Sequence, residues 1–265
     1  MPRLRAVTAL LLIASAGSAR AQDEAQTRRD STSQTIIATD FGYTSFASGL
    51  EAWRTGSVSL SRRGSHGSVI GRLNVANRFG ATGTQVEADA YPRLGNGRYM
   101  YLNAGWSGSS IFPGERLGAE LYSNLPHAWE ASLGLRVLWF DESPVTLFTG
   151  TVGKYTGNYW ISVRPFVRTR DTGTSASAGP TVRRYTVDAD NYLGGRVSFG
   201  SSPSDQVTPD AVARTSSASA TVQGSRTIAT SYIGTWSAGY DREGLDGGSI
   251  RKSWNVSIGV AYRYR

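Results

Sequence analysis

Large apolar residues alternate with small or polar residues along most of the chain after residue 34. In the segment 253–264, tryptophan, valine, isoleucine and tyrosine occupy every second position, and mostly small polar residues lie between them. Because successive side chains of a β-strand point to opposite faces, such a segment has one apolar and one polar face. No stretch after residue 34 shows the 3.6-residue spacing of an amphipathic helix. The pattern therefore predicts an all-β protein.

Residues typical of turns divide this region at intervals of about 15 residues. The clearest turns are predicted at 63–67, 92–97, 124–127, 156–158 and 188–191. Between the turns we predict fourteen strands: 35–45, 53–63, 67–79, 83–92, 98–108, 115–124, 128–140, 144–155, 158–170, 174–186, 191–201, 216–227, 230–241 and 250–264. A twelve-strand alternative merges 181–199 into one strand.

Both a soluble β-sandwich and a transmembrane β-barrel would show this alternation. Strands of 10–15 residues are long for a sandwich, where about 5–6 is usual, but they match the 9–11 residues that cross a bilayer. Aromatic residues also lie at the ends of the apolar faces, as in the aromatic girdles of outer-membrane barrels. The predicted girdle comprises Trp129, Trp139, Tyr232, Tyr240, Trp254 and Tyr264. We predict an antiparallel outer-membrane barrel with an even strand number and both termini in the periplasm. In such a barrel the twelve-strand alternative would leave a long periplasmic segment after 181–199. Fourteen strands are preferred because they place the long polar loop 201–215 outside the cell.

Charged and amide side chains lie in the middle of the polar faces, where a barrel would turn them toward its lumen. The predicted lumen residues are Arg72, Asn74, Arg78, Gln85, Glu87, Asp89, Glu120, Glu130, Arg136, Arg164 and Arg196. These side chains could bridge and partly fill the lumen, or they could line a conduction path. Bridging is the favoured interpretation, and the sequence leaves the second one open.

The third and fourth strands combine a basic face with an acidic one. If their hairpin turns around Gly80 and Ala81, Arg72 lies opposite Asp89 and Asn74 lies opposite Glu87. A slip of two residues would instead place Asn74 opposite Asp89 and Arg78 opposite Gln85. Each arrangement puts opposite charges or polar groups next to one another, which stabilises a strand pair by about 0.2–1 kcal/mol per contact.

The first 21 residues are typical of a secretory signal peptide. Two arginines precede a short apolar run, and small residues precede a cleavage site predicted between Ala21 and Gln22. Removal of this segment takes away three arginines and lowers the net charge from +8 to +5. We predict three parts: the signal peptide (1–21), a short flexible leader (22–34) and the barrel (35–265).

Composition narrows the possible chemistry. The absence of cysteine excludes disulfides, thiolate metal sites and a cysteine nucleophile, and only two histidines are present. His66 and His127 both fall in predicted turns, away from the outer rim, so a histidine-dependent enzyme is not expected. We expect no cofactor and no metal. A charge of +5 suits an anionic lipid surface better than a nucleic acid, so no nucleic-acid partner is expected.

Several sequence motifs resemble the YaiO-type outer-membrane β-barrel family. The motifs lie at Leu117–Pro126, Trp129–Arg136, Lys154–Trp160, Ile161–Pro165, Asp188–Tyr192 and Gly200–Pro203. The resemblance covers nearly all of residues 35–264. It implies a barrel in the outer membrane of a Gram-negative bacterium but no settled activity. Some relatives in this family lie near polysaccharide-making enzymes, which hints at the export of a surface glycan.

Three functions follow as hypotheses. The first is a porin-like conduit or export partner for small solutes or a surface polysaccharide. The second is a structural or adhesion barrel with a closed lumen that acts through its outer loops, and the third is an outer-membrane enzyme. The expected partners are membrane lipid and lipopolysaccharide, the barrel-assembly machinery and, for export, polysaccharide synthesis or export proteins.

Overall fold

A computed structural model describes residues 33–78, 80–140, 143–170, 173–201, 216–245 and 248–264. The predicted signal peptide, its cleavage site at Ala21 and Gln22, and most of the loop 201–215 lie outside these residues. The described chain forms fourteen strands: β1 (Gln34–Phe46), β2 (Trp53–Gly64), β3 (Gly67–Arg78), β4 (Ala81–Gly95), β5 (Arg98–Trp106), β6 (Glu115–Leu125), β7 (Trp129–Phe140), β8 (Ser143–Thr156), β9 (Tyr159–Arg170), β10 (Gly173–Tyr185), β11 (Tyr192–Gly200), β12 (Ser216–Ala229), β13 (Tyr232–Gly244) and β14 (Ile250–Tyr264).

The strands form one closed antiparallel barrel in which each strand pairs with its neighbours in sequence and β1 pairs with β14. The predicted count of fourteen is confirmed, and every predicted strand end lies within three residues of the observed one. The twelve-strand alternative is wrong because 186–191 forms a turn between β10 and β11. Among the described residues, the helical structure is a single 3-10 turn at Pro126–Ala128, and no helix is long and apolar enough to cross a membrane.

The two ends of the barrel differ in their connections. The terminal rim carries the start of β1, the end of β14 and six short connections, which include all five predicted turns. One of these turns is Gly95–Gly97, where three consecutive residues have positive φ values and allow a tight reversal. The opposite end, called the loop rim below, carries the longest connections, 107–114 and 201–215.

Strand pairing fixes the tilt of the wall. A row of paired residues can be followed around the barrel from one strand to the next; it begins at Thr35 on β1 and reaches Ile250 on β14. The pairing of β14 with β1 places Ile250 opposite position 49, so the row returns to β1 displaced by 14 residues from its start. For fourteen strands, this shift corresponds to a strand tilt of about 37° and a wall radius of about 12 Å. In an interior of that size, long side chains from different strands can meet one another.

The two faces of the wall have opposite polarity. Large apolar side chains such as Leu73, Leu133 and Val256 are exposed on the outside, whereas buried residues on the inside include many charged and hydroxyl groups. This arrangement is the reverse of that in a soluble sandwich, which buries its apolar face. The inverted polarity is what a barrel surrounded by lipid requires.

Pro165 lies within β9, and a proline inside a strand commonly marks a bulge or a local break in the ladder. β9 is continuous and pairs with β10 at this position, but its ladder to β8 is interrupted between the pairs Thr149–Phe166 and Val152–Val163. The register is the same on both sides of the gap, so the feature is a break and not a bulge. Proline has no N–H to donate, and the Thr149 hydroxyl donates instead to the Pro165 carbonyl at 3.0 Å.

Candidate functional site in the barrel interior

The structure places all eleven predicted lumen residues on the interior face of the wall. Seven are buried, and Arg72, Asn74, Arg164 and Arg196 are partly buried. Two groups form direct contacts, one around Glu87 and one around Glu120. Arg78, Gln85, Glu130 and Arg196 lie outside these two groups.

Both predicted registers of the third and fourth strands are wrong. Arg72 on β3 lies opposite Glu87, and Asn74 lies opposite Gln85, because the turn is centred one residue earlier in the chain than expected. The Arg72 guanidinium nevertheless reaches two carboxylates, Glu87 at 3.3 Å and Asp89 at 3.2 Å. The predicted contact between a basic and an acidic strand is therefore present with different partners.

The first charged group is centred on Glu87. Its carboxylate accepts hydrogen bonds from Arg72 and from the Asn74 amide at 2.8 Å, and it forms an ion pair with Arg116 at 2.7 Å. Arg116 also donates to Asn103 at 2.8 Å. These residues lie on β3, β4, β5 and β6, so the group ties four neighbouring strands together.

The second charged group is centred on Glu120 on β6. Arg164 on β9 donates to Glu120 at 3.0 Å and to the Tyr122 hydroxyl at 2.5 Å, and Arg136 on β7 approaches Glu120 at 3.7 Å. The Ser132 hydroxyl donates to the same carboxylate at 2.6 Å. Glu120 is thus surrounded by donors from two other strands, β7 and β9.

Tyrosines pack beside these groups on the same part of the wall. Tyr99 and Tyr122 stack with ring centroids 4.6 Å apart, and Tyr91 lies 5.2 Å from Tyr101. The Tyr99 hydroxyl donates to Glu130 at 3.1 Å. We call the interior faces of β3–β9 the charged wall, because its bulky ionic and aromatic side chains fill the space in front of these strands.

A loop closes part of the loop rim. We call residues 107–114 the mouth loop; Ile111 in this loop is only 5 % exposed. The Ser107 hydroxyl donates to the Thr84 carbonyl at 2.6 Å. A Cβ atom at Gly83 would lie 2.0 Å from the Ser109 hydroxyl oxygen, so a glycine on β4 makes room for this loop. The mouth loop therefore folds inward, over the interior face of β4.

Aromatic rings and arginines surround the mouth loop. The Arg78 guanidinium lies 5.4 Å from the Phe112 ring and 5.7 Å from the Trp53 ring, and it donates to the Ile111 carbonyl at 3.4 Å. The Arg251 guanidinium lies 5.8 Å from the centroid of the same Trp53 ring. Contacts between cations and aromatic faces contribute about 0.5–2 kcal/mol each. They hold the mouth loop against the barrel wall.

The opposite part of the interior carries small side chains. We call the interior faces of β10–β14, β1 and β2 the hydroxyl wall, because serine, threonine and glycine dominate its middle. Partly exposed positions at mid-strand include Ser59, Thr181, Thr221 and Ser257. Only the β14 portion of this wall was recognised in the sequence. The same alternation of small residues in β2, β10 and β12 was the signal that could have revealed the rest.

Interior charges are unequal in number. Among the side chains that the structure describes, eleven arginines and seven carboxylates lie on interior faces of strands. The arginines are Arg63, Arg72, Arg78, Arg116, Arg136, Arg164, Arg168, Arg183, Arg196, Arg251 and Arg263, and the acids are Asp40, Glu87, Asp89, Glu120, Glu130, Asp241 and Glu243.

Comparison with known families agrees with this architecture. A family model described as the YaiO membrane beta barrel domain matches residues 34–205. The chain belongs to the YaiO family. The predicted resemblance is thereby confirmed, and the remaining questions concern what a YaiO barrel with this interior can do. No curated protein matches the sequence.

Solved structures with a similar fold are outer-membrane channels and porins. The CymD monoaromatic hydrocarbon channel aligns with a TM-score of 0.58 and 7 % identity, over 97 % of this chain and 94 % of that one. OpdK of Pseudomonas aeruginosa aligns at 0.49 with 9 % identity, covering 88 % and 99 %, and the KdgM porin at 0.45 with 10 % identity, covering 86 % and 99 %. At so low an identity the CymD alignment shows a shared fold. The family match identifies the chain as a membrane β-barrel, and it is an outer-membrane protein.

The predicted girdle residues all lie on the outer face of the YaiO barrel. Trp129, Tyr232 and Tyr264 lie near the terminal rim, whereas Trp139, Tyr240 and Trp254 lie closer to the loop rim. Trp129 and Trp139 are ten residues apart on β7, which at the tilt given above spans about 25 Å along the barrel axis. That distance equals the height of the apolar band in outer-membrane barrels, about 25 Å.

Both histidines lie in turns of the terminal rim. His66 is exposed, and its Nδ1 lies 3.1 Å from the hydroxyl of its neighbour Ser65. His127 is also exposed and has a positive φ of 59° within the 3-10 turn. In the part of the chain that the structure describes, no group of three or more histidine, aspartate or glutamate residues is arranged to hold a metal ion.

Proposed function

We propose that this YaiO barrel is a conduit for small polar solutes across the outer membrane. The observation that carries the proposal is the uneven filling of the interior. The charged wall is occupied by interlocking long side chains, whereas serine, threonine and glycine predominate at mid-strand on the hydroxyl wall, with Asp40 and Arg196 as charged exceptions. With a wall radius of about 12 Å, this difference leaves an off-centre passage along the hydroxyl wall.

Hydroxyl groups on that wall are available to water or solute. Ser59, Thr181, Thr221 and Ser257 are partly exposed at mid-strand on the interior face. A hydroxyl group can both donate and accept a hydrogen bond. These groups favour a wet passage that hydroxylated solutes, including carbohydrate, could follow.

Orientation in the membrane is part of the proposal. We place the terminal rim in the periplasm, because outer-membrane barrels have short periplasmic turns and longer extracellular loops. The mouth loop would then lie at the cell surface. The proposed role is non-catalytic, since both histidines lie in exposed turns at the opposite end from that surface.

Conductance in planar lipid bilayers tests the proposal. Folded barrel should produce stepwise currents, and Thr221→Trp, which puts a large side chain into the passage, should reduce the step size. Val222→Trp is the matched control, because this neighbouring side chain points outward and is 49 % exposed. Equal currents for both variants would show that the passage does not follow the hydroxyl wall.

A structural barrel with a closed lumen is the second candidate. The inward fold of the mouth loop, with Phe112 packed against Arg78, favours this function because it narrows the loop rim. A variant that lacks residues 108–113 separates the two candidates. If folded barrel conducts neither with nor without these residues, the conduit proposal is overturned and the closed barrel is supported.

A further inference from the structure

We infer that the passage favours anions over cations. This inference rests on the proposed conduit and adds the class of solute that it would carry. The inference is based on which member of each ion pair is more exposed to the interior space. In the ion pairs of the charged wall, the arginine is more exposed to water than the carboxylate that it contacts.

The group around Glu120 shows this layering clearly. The Glu120 side chain is 1 % exposed, whereas its two arginine partners, Arg136 and Arg164, are 10 % and 13 % exposed. One carboxylate is shared by two guanidinium groups, and a second carboxylate, Glu130, interacts electrostatically with Arg164 and is likewise only 1 % exposed. The negative charge lies behind the positive charges as seen from the passage.

The group around Glu87 has the same order. Arg72 and Arg116 are 10 % and 13 % exposed, whereas Glu87 and Asp89 are 7 % and 5 % exposed. The two carboxylates balance the two arginines in charge, but donors from three further side chains also cover their oxygens: Asn74, Tyr101 and Asn103. A solute in the passage therefore meets guanidinium edges before it meets carboxylates.

The hydroxyl wall adds positive charge to the passage. Arg196 on β11 is a partly exposed interior residue of this wall, and Asp40 on β1 is its partly exposed acid in the described strands. Arg168 on β9 is a further partly exposed arginine, at the edge of the charged wall. Near the rims, opposite charges cancel in two further ion pairs: Arg251 with Glu243 at 2.8 Å, and Arg263 with Asp190. Over the interior strand faces that the structure describes, eleven arginines are present with seven carboxylates.

Fixed charges that line a narrow aqueous pore raise the local concentration of counter-ions and set its ion selectivity. Low-dielectric walls strengthen this effect because they focus the field into the water. Four arginines facing the passage from the charged wall, together with Arg168 and Arg196, therefore favour chloride and small organic anions such as carboxylates. Guanidinium groups also donate in pairs to carboxylate and phosphate oxygens.

A reversal-potential measurement tests the inference. Wild-type barrel in a planar bilayer is placed between two KCl solutions of different concentration, and the zero-current potential gives the permeability ratio of Cl⁻ to K⁺. A ratio above one is expected. Current with a ratio at or below one would overturn the anion preference but leave the conduit standing. The absence of any current from folded barrel would overturn the conduit, and the anion preference with it.

Single charge changes identify the responsible side chains. Arg196→Gln should lower the permeability ratio, Arg196→Lys should keep it, and Asp40→Asn should raise it. Arg226→Gln is the matched control, because it removes the same charge from an exposed residue on the outer face of β12. An equal change for Arg226→Gln and Arg196→Gln, or a change of the same sign for Arg196→Gln and Asp40→Asn, would contradict the inference. Heat-modified migration on gels verifies that each variant is folded.

Salt concentration provides a second readout. Screening shortens the reach of a fixed charge from about 10 Å at 0.1 M to about 3 Å at 1 M ionic strength. The permeability ratio should therefore approach one as the mean KCl concentration rises at a constant gradient. A ratio that is independent of salt would show that fixed interior charges do not cause the preference.

Discussion

Arg164 on β9 reaches Glu120 on β6 across two intervening strands, and its Nη1 donates to Oε2 at 3.0 Å. Most contacts in a barrel join neighbouring strands, but this hydrogen bond cuts across the interior. It holds parts of the wall at a fixed separation that strand pairing alone does not set. The contact also keeps these long side chains on the charged wall, so it contributes to the shape of the proposed passage.

Loss of this cross-barrel contact should destabilise the protein. Arg164→Gln leaves the buried Glu120 carboxylate with Ser132 and the more distant Arg136, and breaking a buried ion pair costs about 3 kcal/mol. The free energy of unfolding in guanidinium chloride, measured in lipid bilayers, checks this value. The double variant Arg164→Gln/Glu120→Gln should lose less, because no uncompensated carboxylate remains. A double variant less stable than Arg164→Gln alone would contradict this explanation.

Gly83 should control the position of the mouth loop. Gly83→Leu would place carbon atoms where Ser109 and Ile111 now lie, so the loop must leave the interior. Hydrogen exchange of the amides of residues 107–114 should become faster, and the conductance should rise. Gly71→Leu is the control, because no atom lies within 4 Å of its added Cβ. Unchanged exchange in Gly83→Leu would show that the loop is held elsewhere.

The loss of stability caused by a charged residue on the outer face should depend on its depth in the membrane. Leu133, in the middle of β7, is 75 % exposed, and Leu133→Arg should cost about 2–4 kcal/mol of stability in a bilayer. Leu125 lies at the end of β6 on the terminal rim, where Leu125→Arg should cost about 0–1 kcal/mol. Equal costs at the two positions, measured by equilibrium unfolding, would mean that the apolar band is not centred near Leu133.

The aromatic girdle can be located by spin labels. The chain has no cysteine, so Trp129→Cys, Leu133→Cys and Trp139→Cys each provide one labelling site. Nitroxides at 129 and 139 should show intermediate accessibility to oxygen and to a water-soluble nickel complex, and the label at 133 should favour oxygen. A label at Ser132, on the interior face, should not follow this depth profile. If position 129 or 139 matched position 133, the proposed girdle would be misplaced.

The sequence alone was sufficient to predict the strands, but it was not sufficient to predict the register in which β3 and β4 pair. Alternation tells which residues share a face, and in the barrel Arg72, Glu87 and Asp89 do share one. A slip of two residues preserves both faces, so alternation cannot separate Arg72 opposite Asp89 from Arg72 opposite Glu87. The position of the turn decides the register, and the centre of this turn lies one residue earlier in the chain than expected.

Contacts between distant strands were beyond the reach of sequence patterns. Nothing local to Arg164 indicates that its partner lies 44 residues earlier, because the distance closes only when the barrel does. The mouth loop was missed for the same reason: its inward fold depends on Gly83, which belongs to a different strand. The hydroxyl wall was partly missed because serine and glycine give a weaker alternation than charged residues do.

Closure of the barrel by β1 and β14 makes assembly an all-or-none event. Twelve residue pairs join these strands, including Phe41 with Ile258, so the earliest strand to be synthesised receives its second neighbour only from the last. Until then both edges carry unsatisfied backbone groups, which hydrocarbon does not tolerate. A chain truncated before β14 would therefore have no stable partial form in the membrane.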